Sequence, residues 1–164
     1  MLAFGTAYTL VAAGTGTTRT PRRSAAESPA SDAMYSPPVR VDPARPAPVV
    51  VFIHGGGFKT GDKTQARKDP MLEQFLKAGI SFAAINYRFR EQAPIQDILH
   101  DAARAIQFIR YKAADWNVDK KRIAAYGGSA GAGTSLWLAA HDDLADPKNP
   151  DPVLRESSRL VAAG

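Results

Sequence analysis

The sequence predicts an α/β protein, a three-layer α/β/α sandwich built on a mostly parallel sheet. Residues 49–53 (VVVFI) and 80–86 (ISFAAIN) are apolar at nearly every position, as strands are when helices cover both of their faces. Segments with helical spacing lie between and after them, so the order from residue 48 onward is β-α-β-α-β-α. Right-handed crossovers then bring the C-terminal ends of the strands to one edge, where such sheets build their sites.

Each element has its own signal. Asp69-Pro70 joins a capping residue to one suited to a first helical turn, and Gly79 supplies a stop, which predicts a helix over 71–78. Ile95, Ile98, Leu99, Ala102, Ile106 and Ile109 recur at helical spacing and predict a long amphipathic helix over 95–114. Residues 122–126 read as a third strand and 130–141, with Leu136, Trp137 and Leu138, as the helix after it. A loop follows from Asp146-Pro147 to Asp151-Pro152. Residues 153–159 then read as a short helix capped by Asp151, and 160–163 as a strand just begun. Trp116 and Trp137 are expected to be packing residues.

Residues 1–47 have a different character. They hold six of the 12 prolines, and residues 15–32 offer almost nothing to bury, so a low-complexity, poorly ordered segment is expected there. The opening MLAFGTAYTLVAAG is mildly apolar, and Val11-Ala12-Ala13-Gly14 resembles a signal-peptidase site. No basic region precedes it, and a short edge strand over 7–11 is the alternative, so cytoplasmic and exported locations both stay open.

Composition narrows the chemistry. At 164 residues with 45% apolar and 23% charged side chains, the chain can bury a core of its own. With no cysteine there is no disulfide scaffold, thiolate metal site or cysteine nucleophile, and three widely separated histidines offer no metal cluster. No apolar run reaches the roughly 20 residues of a membrane span. The net charge of +5 is modest and scattered, which reads as a solvated surface and not as a nucleic-acid footprint. No cofactor is expected.

Two motifs fall on the predicted site edge. Gly127-Gly128-Ser129-Ala130-Gly131 is a G-x-S-x-G between a strand and a helix. So abrupt a turn strains the serine backbone and brings the flanking positions together, hence glycine at 127 and 131; it lifts the Ser129 hydroxyl to a helix N-terminus, where developing negative charge is favoured. His54-Gly55-Gly56-Gly57-Phe58 directly follows the strand 49–53. Three successive glycines suit a place where bare amides approach another group, and an acyl-transfer site needs such amides for its oxyanion. The natural donors are the N–H groups of Gly56, Gly57 and Ala130. A phosphate loop is the rival: Gly56 and Gly61 have the G-x-x-x-x-G spacing, but Asp62 stands where that loop requires lysine.

HGGGF and GGSAG, with ISFAAINYRF between them, resemble the serine esterases and lipases of the α/β-hydrolase fold, closest to the hormone-sensitive-lipase-like and bacterial carboxylesterase branches. The resemblance covers residues 48–164, which then form the N-terminal portion of a hydrolase domain. It implies a Ser129 nucleophile, an oxyanion hole of Gly56, Gly57 and Ala130, and a histidine, His54, that organises the glycine loop. It also implies that strand 49–53 lies between 80–86 and 122–126, and that an antiparallel strand pair precedes them. Asn86-Tyr87-Arg88 departs from the more usual Asp-Tyr-Arg, and Tyr87-Arg88-Phe89-Arg90 reads as a loop lining the cleft. Phe58 is a candidate wall of an acyl pocket.

The proton relay has no evident source. The fold's chain order is Ser, then Asp or Glu, then His. Only His141 follows Ser129, about 18 Å along the same predicted helix at about 1.5 Å per residue. His100 lies off the apolar stripe, His54 precedes the serine, and Asp142, Asp143, Asp146 and Asp151 read as helix-end, loop and cap residues. The expectation is therefore a chain carrying nucleophile and oxyanion hole without the triad acid and base. Its substrate would be a small-molecule or lipid ester. A non-catalytic fragment or binding module, or a peptidase of the same fold, are the alternatives; oligomeric state is undetermined.

Overall fold

The structure is a computed structural model that describes residues 33–40 and 42–164; the export signal, the strand 7–11 and the character of 15–32 lie outside them. The described elements are β1 (Met34–Ser36), β2 (Ala47–Ile53), α1 (Leu72–Lys77), β3 (Ser81–Ile85), α2 (Ile95–Tyr111), β4 (Val118–Gly127), α3 (Ala130–Ala140) and β5 (Ala162–Ala163). Two 3-10 helices, Lys63–Lys68 and Pro152–Arg155, stand in the connections.

The five strands form one mixed sheet in the order β1-β3-β2-β4-β5. β1 runs antiparallel to β3, and every other pairing is parallel. β2 lies at the centre between β3 and β4, as the resemblance implies. Alternation along β2 divides the core. Val49, Val51 and Ile53 join Ile85, Ile98, Ile106, Ile109 and Ile123 on the face covered by α2 and α3. Val50 joins Ala66, Phe82 and Ala84 on the other face, packed by Leu72, Phe75 and Leu76 of α1. Those two helical layers make the sandwich.

Four elements differ from expectation, each for a local reason. Within the stretch expected to be poorly ordered, Met34–Ser36 is a strand, and three residues are too few to display an alternation. Tyr35 anchors it: the hydroxyl donates to the Trp116 carbonyl at 2.8 Å, and the ring stacks on Trp116 at 4.6 Å. β4 begins at Val118, earlier than 122, because its Asp119-Lys120-Lys121-Arg122 opening is polar and carries no core signal. The helix expected over 153–159 ends at Arg155. Two α2 side chains capture the carbonyls that would continue it: Gln107 Nε2 donates to Glu156 O at 2.8 Å, and Arg110 Nε to Ser157 O at 2.8 Å. Gln107 is buried, although its sequence position reads as polar surface.

The fourth is Lys63–Lys68, which no periodicity announced. Asp62 is its N-cap, accepting from the Thr64 N–H at 2.8 Å and from Asn86 Nδ2 at 2.9 Å. The carboxylate that spoils a phosphate loop thus has a structural task.

Candidate active site

In-register pairing builds the site. Ile53 of β2 pairs with Gly127 of β4, so the two strands end side by side and their loops leave the sheet together. The chain after Gly127 must enter α3 almost at once, and Ser129 takes that bend at φ 55°, ψ −114°, one of three described non-glycine residues with positive φ. Such a backbone costs on the order of 1–3 kcal/mol and survives only where its surroundings dictate it.

The surroundings are visible at the flanking glycines. A Cβ on Gly127 would stand 2.1 Å from the Ile53 carbonyl oxygen, and one on Gly131 would stand 1.9 Å from the same atom. Mutual crowding is present too, since the Gly127 Cβ would meet the Gly131 carbonyl carbon at 2.9 Å. The main obstacle is therefore the end of β2, which the motif alone does not reveal.

The glycine loop closes against this bend. A Cβ on Gly55 would lie 2.8 Å from the Gly128 carbonyl oxygen and 3.7 Å from Ser129 Cβ. Gly56 (φ 110°) and Gly57 (φ 62°) occupy conformations that favour glycine, and both are exposed, as is Ser129. Among the described residues, neither the Gly56 nor the Gly57 amide donates to another backbone or side-chain acceptor. The Ala130 amide opens α3 and belongs to the set a helix leaves without internal partners. Two loops from adjacent strands thus meet at one strained, exposed serine.

His54 lies beneath that loop and is fully buried. Its Nδ1 is 2.8 Å from the Gly55 carbonyl oxygen, which can only accept, so the proton resides on Nδ1. Nε2 is buried with no hydrogen-bond partner and makes no bond to Ser129. Burial pushes the imidazole below its ordinary range, against weaker opposite pulls from the Gly55 carbonyl and Asp62. The ring is wedged between Tyr87, stacked at 4.3 Å, and Gly61, where a Cβ would come within 2.3 Å of Nδ1.

The other two histidines sit elsewhere. His100 of α2 is exposed with its ring 5.9 Å from Trp137, and His141, the residue after α3, lies against the same indole at 4.2 Å. Asp151 caps Pro152–Arg155 and pairs with Arg104 at 2.7 Å, while Asp143 accepts from the Ser158 N–H at 2.9 Å. Phe58 (φ 60°) is half-buried and packs on Tyr87 at 5.9 Å. Among the described residues no group of His, Cys, Asp or Glu could hold a metal ion, and no helix is long and apolar enough to cross a membrane. A concavity of about 340 Å³ lies at the opposite, N-terminal end of the strands, lined by Tyr35, Trp116, Arg45 and Arg122 among others. It plays no part in this site.

Sequence reasoning passed over two residues that shape the loop. Gly61 entered only as part of a phosphate-loop spacing, and Tyr87 only as cleft lining. An aromatic residue directly after a strand buried along its length was the available signal for Tyr87.

Comparison with known proteins agrees with this architecture. An esterase of the Planctomycetes species Thermogutta terrifontis, solved with propionate bound, superposes with a TM-score of 0.67 at 32% identity, over 79% of this chain and 47% of that one. An acetyl ester-xyloside bifunctional hydrolase of Caldicellulosiruptor lactoaceticus gives 0.66 at 32% identity, over 79% and 46%. In sequence, a probable isoprenylcysteine alpha-carbonyl methylesterase of Arabidopsis thaliana is 32% identical over 117 residues, 71% of this chain and 24% of that protein. The chain thus spans about half the length of those structures and about a quarter of the plant relative. The BD-FAE family profile matches residues 34–157, taking in β1, the glycine loop, the serine bend and α3. With the sheet order, the strained serine and the match all in agreement, the chain belongs to the BD-FAE family, on the α/β-hydrolase fold.

Proposed function

We propose that this chain carries the nucleophile and oxyanion-binding half of a carboxylic ester hydrolase. Ser129 attacks the ester carbonyl, the N–H groups of Gly56, Gly57 and Ala130 hold the resulting oxyanion, and the alcohol leaves to give an acyl-enzyme that water releases. The observation that supports the reading is the strained Ser129 with Gly55 packed against its bend, which brings the glycine loop of one strand against the serine turn of its neighbour. Ester hydrolase names among the relatives support the same class. The substrate class proposed is a small-molecule or lipid ester, in line with the ester hydrolase names of those relatives.

A serine hydroxyl needs a base, and none of this chain's histidines is positioned as one: His54 is turned into the core, and His100 and His141 flank Trp137. The proposed capability of the chain alone is therefore acylation without efficient turnover. The preformed amides give Ser129 residual reactivity.

The test is covalent labelling. A fluorophosphonate probe or p-nitrophenyl acetate, followed by peptide mass spectrometry, is expected to modify Ser129 once per chain, and Ser129→Ala to abolish the modification. Equal labelling of the variant, or modification confined to another residue, would refute the assignment. A peptidase reading predicts comparable acylation from an activated amide, whereas the esterase reading predicts acylation from the ester alone.

A further inference from the structure

Resting on that reading of Ser129, we infer that Tyr87 is a positioning residue for the oxyanion loop, acting through the backbone of His54. The segment after β3 holds the loop from below at three places. Tyr87 is buried, and its hydroxyl donates to the His54 carbonyl at 2.6 Å, at the point where β2 gives way to the glycines. Four residues later in the loop, the Phe58 carbonyl accepts from the Arg90 N–H at 2.8 Å. At its far end, Asn86 accepts from the Lys63 N–H at 2.7 Å and donates to Asp62 at 2.9 Å. Gly55, Gly56 and Gly57 therefore lie between two fixed carbonyls, those of His54 and Phe58.

The clamp is itself anchored. Arg88 grips Asp101 of α2, with Nε 2.7 Å from one carboxylate oxygen and a terminal nitrogen 2.8 Å from the other. Asp101 is buried, so the segment 86–90 is bound to the long helix and not free to follow a moving loop. The Tyr87 ring also stacks on His54, whose own ring allows no side chain at Gly61. Bare glycines have no side chains to hold them, and amides that stabilise an oxyanion must be in place before charge develops. Tyr87 supplies that restraint without touching the reacting atoms.

Tyr87→Phe keeps the ring stack and removes only the hydroxyl. Its effect is read in the saturation kinetics of p-nitrophenyl acetate acylation, beside wild type, Ser129→Ala and Tyr35→Phe. Tyr35 is the matched control: its hydroxyl also bonds a backbone carbonyl, that of Trp116, at the opposite end of the sheet. Expected is a limiting acylation rate lowered roughly 10- to 100-fold, less than loss of a donor outright, with half-saturation unchanged. The melting temperature should fall no further than that of Tyr35→Phe, which acylates at the wild-type rate. A wild-type rate in Tyr87→Phe overturns the inference, as does an equal loss in Tyr35→Phe, which would mark general loosening. Should Tyr87→Phe fail to fold, Asn86→Ala removes the clamp's far end and predicts a smaller loss of the same kind; a wild-type rate there overturns it. Labelling of wild type that persists in Ser129→Ala would instead sink the reading of Ser129 on which the inference rests.

Discussion

Asp62 illustrates how one side chain can link loop shape to pH. Hydrogen bonds from Thr64, then from Asn86, hold its carboxyl at about 2, against an ordinary 3.8. The folded state therefore favours the charged form, and that stabilisation is fully present above about pH 4. It is lost progressively as the pH falls from about 4 to 2, because the unfolded chain takes up the proton first. Asp62→Ala is expected to cost about 1 kcal/mol at neutral pH through the lost cap and to flatten the acid limb of the stability curve in that window. Urea denaturation at stepped pH measures both. Ser129 shows the same dependence on neighbours: its bend fits against the end of β2 because Gly127 and Gly131 leave room for the Ile53 carbonyl, and its side chain makes no capping hydrogen bond.

Within α3, two glycines two residues apart have opposite meanings. Gly131 faces the end of β2, and a methyl there would fall 1.9 Å from the Ile53 oxygen, so Gly131→Ala must push β2 and α3 apart. A cost of about 3 kcal/mol, the upper part of the overpacking range, is expected, together with loss of Ser129 labelling. Gly133 is exposed, and a methyl there would have nothing within 4 Å, so Gly133→Ala should stabilise the helix by about 0.5–1 kcal/mol and leave labelling unchanged. Thermal unfolding of the two variants gives the two signs. Among the elements, α2 reaches furthest: Ile98, Ile106 and Ile109 fill the core while Gln107 and Arg110 end the 3-10 turn at Arg155. Its apolar stripe was plain in the sequence, whereas the role of Gln107 was not, because a glutamine among polar neighbours reads as surface until the chain about 50 residues later is laid against it.

At the level of the molecule, the placement of the three histidines sets what the chain alone can do. None has a ring nitrogen bonded to Ser129, and two are occupied with Trp137 on the α2–α3 side. An acetyl group transferred to Ser129 should accordingly persist, and added imidazole should shorten its lifetime in a concentration-dependent way. Mass spectrometry of the acetylated chain over time follows this directly. Rapid release without imidazole would mean that a base is already in place.

The strands 49–53 and 80–86, the helix over 95–114 and the two glycine motifs could all be read from residues alone, because burial on both faces and a tight turn each demand particular side chains at short range. The glycine loop's support could not be read in that way. That Gly131 must spare the Ile53 carbonyl, that Tyr87 bonds His54 across 33 residues, and that Asn86 closes onto Asp62 are consequences of which strands lie side by side. Local sequence determines what each segment can form, and only the packed sheet decides which backbone atoms it will meet there.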